Sequence, residues 1–192
     1  MDNVTILMSI KPKWCKRIAN GDKTLEIRKS IPEKVFELPE RFKPFKVYMY
    51  CTKERINGEI IRVMSPLTAD LTGTPIGKVA GINKGFRNGS DILIAGTVFG
   101  EFTCTDIISF DVPYPVYQEE FVKNYGYILE ESNLSFQELH QYTGNKRAYA
   151  YRISDVKLYN KPKTIYDYSL SKQGKIITLN KAPQSWCYVS TI

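Results

Sequence analysis

Lys23, Glu26 and Arg28 sit three and two residues apart in the stretch KPKWCKRIANGDKTLEIRK, residues 11–29. A guanidinium offers a planar fork of N–H donors that matches a phosphate or carbonyl. A carboxylate accepts from an amide or amino group, and an ammonium adds a compact positive charge. Together the three could line the floor of a pocket for a polar, partly anionic ligand. The alternative is an exposed ion pair, which contributes little and is common on protein surfaces. The surrounding stretch holds seven basic residues (Lys11, Lys13, Lys16, Arg17, Lys23, Arg28, Lys29) against Asp22 and Glu26, a net +5 of the chain's formal +7.

The punctuation of this stretch predicts the elements that position the three side chains. Pro12 suits the first turn of a helix and Gly21 the left-handed position just past its end. Trp14 and Ile18, four apart with Cys15 beside them, should face a core, leaving Lys13, Lys16, Arg17 and Asn20 to water. After Gly21 the period changes: Thr24, Glu26 and Arg28 alternate with Leu25 and Ile27. This is the signature of a strand with one polar and one buried face, which sets Glu26 and Arg28 side by side.

Gly21-x-Lys23-x-x-Glu26-x-Arg28, preceded by VTILMSI and a short helix, resembles the GxKxxExR signature of the ASCH domain, a branch of the PUA-like superfamily. The blocks FKVYMYCT, GTVFGEFTC, LSFQELHQYTG, AYAYRISDVKLYNKP and APQSWCYV follow in an order that is similar to phage and prophage ASCH proteins. The resemblance implies a PUA-like barrel whose cleft accepts RNA or a nucleobase. In that frame Lys11, Lys23, Glu26 and Arg28 would contact the ligand. Gln184, Ser185 and Trp186 would return to line the same cleft, unless Trp186 simply closes the core. Tyr50, beside Tyr48 in FKVYMYCT, could stack on a base or pack under a loop. Some small members of the family resemble amidohydrolases of acylated cytidine that use a lysine, a threonine three residues later and a glutamate. Here the third residue after Lys23 is Glu26, Thr24 is adjacent instead, and the remote glutamate corresponds to Glu131 or gives way to Ser132. If the chain is an enzyme, Lys23 and Glu26 would be its catalytic residues. The missing threonine, and the weakness of a guanidinium-paired carboxylate as a base, favour recognition of RNA or a nucleotide over catalysis. A phage-encoded protein-interaction module is the third reading.

Composition sets the outer bounds. At 192 residues, with 43% apolar residues and 13 tyrosines, the chain can fill one core. Cys15, Cys51, Cys104 and Cys187 are scattered without a CxxC pair, and His140 stands alone, so neither a metal site nor a cofactor is expected. No stretch is long and apolar enough to span a membrane and no secretory pattern opens the chain, so a cytoplasmic protein is expected. The isoelectric point near 9.1 permits nucleic-acid contact without requiring it. Charge is unevenly spread. Residues 111–142 hold six acids against Lys123, and residues 143–192 hold nine bases against Asp155 and Asp167.

The rest of the chain reads as short strands. Val4 to Ile10 alternates like a half-buried strand, and residues 45–51 form a second. Residues 92–111 make a long β region with Gly96 and Gly100 at bends, and residues 148–158 form a further strand. Ser135 and Glu138 form a capping box opening a second short helix that Gly144 ends. Residues 182–189 read as a last strand entered through Pro183. Residues 54–90, punctuated by six glycines, read as an insertion. The pattern predicts an α+β fold: a single domain over 1–192 built on a PUA-like mixed β-barrel with two short flanking helices and that insertion.

Overall fold

The computed structural model describes residues 4–36, 42–53, 95–172 and 175–191, together with short strands at 55–56, 59–60, 64–66 and 91–93. The strands are β1 (Thr5–Ile10), β2 (Leu25–Arg28), β3 (Phe45–Cys51), β4 (Arg55–Ile56), β5 (Glu59–Ile60), β6 (Met64–Pro66), β7 (Asp91–Leu93), β8 (Val98–Asp111), β9 (Arg147–Lys163), β10 (Tyr168–Lys172), β11 (Lys175–Thr178), β12 (Trp186–Tyr188) and β13 (Ser190–Thr191). The α-helices are α1 (Pro12–Ala19), α2 (Gln118–Ser132) and α3 (Phe136–Thr143). Six strands form a mixed sheet in the order β12-β1-β3-β8-β9-β2. The class is α+β with helices flanking a mixed sheet, as the sequence predicts. Most of the expected insertion at 54–90 lies outside the described residues. Within it, β4 pairs with β5, and β6 with β7, as antiparallel two-stranded pieces. Among the described residues no helix is long and apolar enough to cross a membrane.

The chain packs as two compact units: Met1–Gly21 with Lys46–Phe102 and Asp155–Ile192, and Asp22–Phe45 with Thr103–Ser154. In the larger unit β1 pairs in parallel with β3 on one side and antiparallel with β12 on the other. This central position buries Ile6 to Ile10 continuously, so β1 is not the half-buried strand its alternation suggests: both faces are covered. Helix α1 follows as predicted, with Pro12 in its first turn and Gly21 at φ 80° just beyond its end. Its buried face is Pro12, Cys15 and Ile18. Trp14, expected in the core, is half-buried and lies under the Lys13 ammonium at 4.3 Å from the ring centroid. Tyr48 packs into the core against Tyr168, ring centroids 4.8 Å apart. Gly100 is required by close approach, since a Cβ there would stand 2.5 Å from the Lys157 carbonyl oxygen.

In the smaller unit β2 pairs antiparallel with β9, and its inward residues Leu25 and Ile27 join a core with Phe110, Phe121, Ile128, Phe136, Leu139, Ala148 and Ala150. Helix α2 supplies Phe121 and Ile128 to this core and is absent from the sequence reading, which allows only two short helices. Its apolar positions do recur at helical spacing, Phe121, Tyr125, Ile128 and Leu129. Gly126 and four scattered acids obscure them, and Tyr125 itself carries non-helical dihedrals (φ −132°, ψ 17°). Helix α2 ends at Asn133 in the left-handed conformation, with the Leu134 N–H bonded back to the Leu129 carbonyl at 3.0 Å. The predicted capping box then opens α3: Ser135 Oγ accepts from the Glu138 N–H at 3.2 Å, and the Ser135 N–H donates to Glu138 Oε2 at 3.0 Å.

Candidate functional site

The loop from α1 into β2 places Lys23, and β2 itself places Glu26 and Arg28 on one strand face, as their spacing requires. All three side chains are buried, Lys23 at 2%, Glu26 at 5% and Arg28 at 6% exposure. The exposed ion pair is therefore excluded, and the polar face of β2 is a covered one. Glu26 bridges the two cations, Oε1 lying 3.0 Å from Arg28 Nη2 and Oε2 3.4 Å from Lys23 Nζ.

Lys23 also donates to the Ser132 carbonyl at 2.7 Å. That carbonyl belongs to the last turn of α2, where unpaired oxygens and the negative end of the helix dipole favour a cation. Even so, burial is the largest influence on Lys23 and pulls its ammonium below the ordinary 10.5; the Glu26 charge and hydrogen bond oppose the shift. Across the ladder Tyr151 stands opposite Glu26 and Tyr149 opposite Arg28. Tyr151 is fully buried, donates to the Ser30 carbonyl at 2.7 Å and takes an edge contact from Phe45.

Tyr142, in the last turn of α3, meets the group from outside. The residue is 40% exposed, and the Lys29 ammonium sits 4.9 Å from its ring centroid. Burial raises its hydroxyl above the usual value, while the charge of Arg28 and a hydrogen bond to it act to lower it. Arg28 thus pairs with the buried carboxylate and lies close enough to a tyrosine that reaches solvent to act on its hydroxyl. Beside this group, Thr24 donates through its N–H to the Glu131 carbonyl at 2.8 Å and through Oγ1 to Glu131 Oε2 at 3.1 Å. Arg152 Nη1 binds the same Oε2 at 3.0 Å.

Of the residues singled out from the sequence, Lys23, Glu26 and Arg28 are brought together in the smaller unit. The others belong to the larger unit. Lys11 is exposed at the N-cap of α1. Tyr50 is half-buried on β3, and burial raises its hydroxyl above the usual value. Gln184 is exposed and Ser185 half-buried, its carbonyl accepting from the Ser9 N–H at 2.9 Å. Trp186 is half-buried on β12, opposite Met8, with its ring edge-on to Tyr188. β12 follows Pro183 as expected, but β13 comes after it, so it is not the last strand. The sequence reading misses Tyr142, Lys29 as its partner, the Ser132 carbonyl and Tyr151. Lys29 and Tyr142 are 113 positions apart by number, and no local pattern links α3 to β2.

No protein-family model matches the chain, and no curated protein sequence does. Among solved structures the chain is similar to ASCH from Zymomonas mobilis, at 18% identity over 98% of this chain and 90% of that one, with a TM-score of 0.48. A single-substitution variant of the same protein aligns at 18% identity over 97% and 90%, TM-score 0.47. The N-terminal domain of McrB from Staphylothermus marinus aligns at 12% identity over 85% and 81%, TM-score 0.35.

Proposed function

We propose that this chain is an ASCH-type, PUA-like domain that binds single-stranded RNA or a nucleotide where Arg28, Lys29 and Tyr142 meet, above Lys23 and Glu26. The observation that carries the reading is the Lys23–Glu26–Arg28 group: three buried charges with a net excess of one cation, topped by a half-open tyrosine ring and a lysine. A buried ion group of this kind contributes little net stability relative to apolar packing. Its value lies in presenting an oriented positive field beside a π face, which suits a phosphate and an unstacked base. Because Arg28 is committed to Glu26, the phosphate contact falls chiefly to Lys29, with Arg28 orienting Tyr142. Lys11, Tyr50, Gln184, Ser185 and Trp186 lie in the larger unit and are proposed as nucleic-acid contacts of that unit taken by itself. No metal or cofactor enters this reading.

Binding of a labelled single-stranded RNA, followed by fluorescence anisotropy across a salt series, tests it. Lys29→Ala is expected to flatten the log-log salt slope by about 0.7, the value for one phosphate contact on a single strand. Tyr142→Ala should cost roughly 1–3 kcal/mol at every salt concentration, the range for a lost stacking contact. Unchanged slope and affinity in both variants would remove the site assignment.

A second reading, hydrolysis of an acylated nucleoside, is favoured by one contact, the Thr24 hydroxyl on Glu131. The same contact also limits it. Glu131 Oε2 is shared with Arg152, and Thr24 donates rather than surrenders its proton to a carboxylate already neutralised by a guanidinium.

A further inference from the structure

The strongest feature outside the Lys23 region is the outer side of α2. Asp111, Pro113, Tyr117, Glu120, Phe121, Asn124 and Tyr125 line a depression of about 370 Å³. Residues 117, 120, 121, 124 and 125 recur at three- and four-residue spacing, so they form one stripe along the start of the helix. The stripe mixes rings with polar groups: Tyr117 and Tyr125 are each more than a third exposed, Glu120 and Asn124 are exposed, and Phe121 is buried. Tyr125 is held in place by Phe121 and Phe110, at ring centroid distances of 5.4 and 6.3 Å. The depression is therefore an aromatic wall on a packed core, and it needs no rearrangement to be presented.

Its charge is opposite to that of the whole molecule. The residues lining it include two acids, Asp111 and Glu120, and no base, in a chain that is net +7. Two carboxylates flank the aromatic wall. Asp111 takes the Arg147 guanidinium in a two-point contact, Nε to Oδ1 at 3.0 Å and Nη2 to Oδ2 at 3.1 Å, while Glu120 is exposed. A phosphate would be repelled here, so this face does not extend the RNA site.

We propose that the depression binds an arginine side chain on an extended, basic segment of a partner protein. A guanidinium is flat and weakly hydrated, stacks on a tyrosine face and binds a carboxylate through two parallel hydrogen bonds. Tyr117 and Tyr125 provide the faces, Glu120 the carboxylate, and Asn124 an amide for the segment's backbone. Charge complementarity selects this occupant, and Arg147 on Asp111 shows that the rim already accommodates the same group. The exposed Tyr114 and Val116 would cover apolar residues flanking the arginine.

The test uses a short peptide containing three arginines separated by glycine, and the same peptide with glutamine at those positions. Both are titrated into isotopically labelled full-length chain by NMR. The arginine peptide is expected to shift the amides around Tyr117, Glu120, Asn124 and Tyr125 in a saturable way. Glu120→Lys and Tyr117→Ala should each weaken it about tenfold, whereas Lys29→Ala should leave it unchanged. Both substitutions replace exposed side chains, and thermal melting by circular dichroism confirms that the fold is kept. Equal binding of the glutamine peptide, or shifts spread over every acidic surface residue, would overturn the proposal. So would self-association of the wild-type chain that Glu120→Lys abolishes, since a second copy would then be the occupant.

Discussion

Replacing Glu26 with alanine is expected to cost about 3–5 kcal/mol of folding stability, the range for removing one partner from a buried ion pair. Lys23 and Arg28 would remain, both buried and facing each other with no anion between them. Lys23→Met should cost less, because the Glu26–Arg28 pair it leaves is neutral and hydrogen-bonded. In the double variant part of the Glu26→Ala penalty should return, and urea denaturation of the four proteins measures that coupling directly. The wild type should also grow more stable as the pH rises toward 10.5. The folded ammonium releases its proton below that value, whereas the unfolded one holds it until 10.5, so the unfolded state binds more protons in the interval. Lys23→Met should flatten that rise. A Glu26→Ala protein within about 1 kcal/mol of the wild type, with an unaltered alkaline profile, would mean the three charges are solvated in solution.

The second large effect is expected at Tyr151. It is fully buried, stands opposite Glu26 across the β2–β9 ladder and meets the ring of Phe45 edge-on. Tyr151→Ala removes the wall that keeps water from the Glu26 carboxylate and should cost about 3–5 kcal/mol, as for other large buried aromatics. Tyr151→Phe keeps the ring and loses only the hydrogen bond to the Ser30 carbonyl, so about 1 kcal/mol is expected. Denaturation midpoints for the two variants check the difference. If alanine and phenylalanine cost the same, the ring does not close the site.

How far the site can be read from sequence follows from which of its contacts are local. Pro12, Gly21 and the alternation from Thr24 to Arg28 act over a few residues. They place a helix, a turn and a strand correctly, and with them Glu26 beside Arg28. The Ser135–Glu138 capping box is local too, and α3 begins where it predicts. What alternation cannot reveal is that the polar face of β2 is covered, because the cover consists of Tyr151, the end of α2 and Tyr142. These lie more than a hundred residues along the chain. Helix α2 was obscured by its composition: acids, a glycine and tyrosines dilute a stripe whose buried members are only Phe121, Ile128 and Ser132. Trp14 shows the reverse failure. Its size argues for the core, yet helix geometry turns Pro12, Cys15 and Ile18 inward and leaves it under Lys13.

The acidic and basic segments read from the sequence meet at Lys29 and Tyr142, so the two surfaces proposed here are told apart by the charges beside their rings. Lys29 and Tyr142 join a positive field to a ring; Glu120 and Tyr117 join a negative field to one. Base and phosphate suit the first, a guanidinium the second. Photocrosslinking of the full chain to a single-stranded RNA carrying 4-thiouridine, with the modified peptides mapped by mass spectrometry, tests the central claim most directly. The account predicts crosslinks on the peptides that contain Tyr142 and Lys29, lost in Tyr142→Ala. Crosslinks confined to the Tyr117–Tyr125 segment, or none at RNA concentrations that saturate binding, would contradict it.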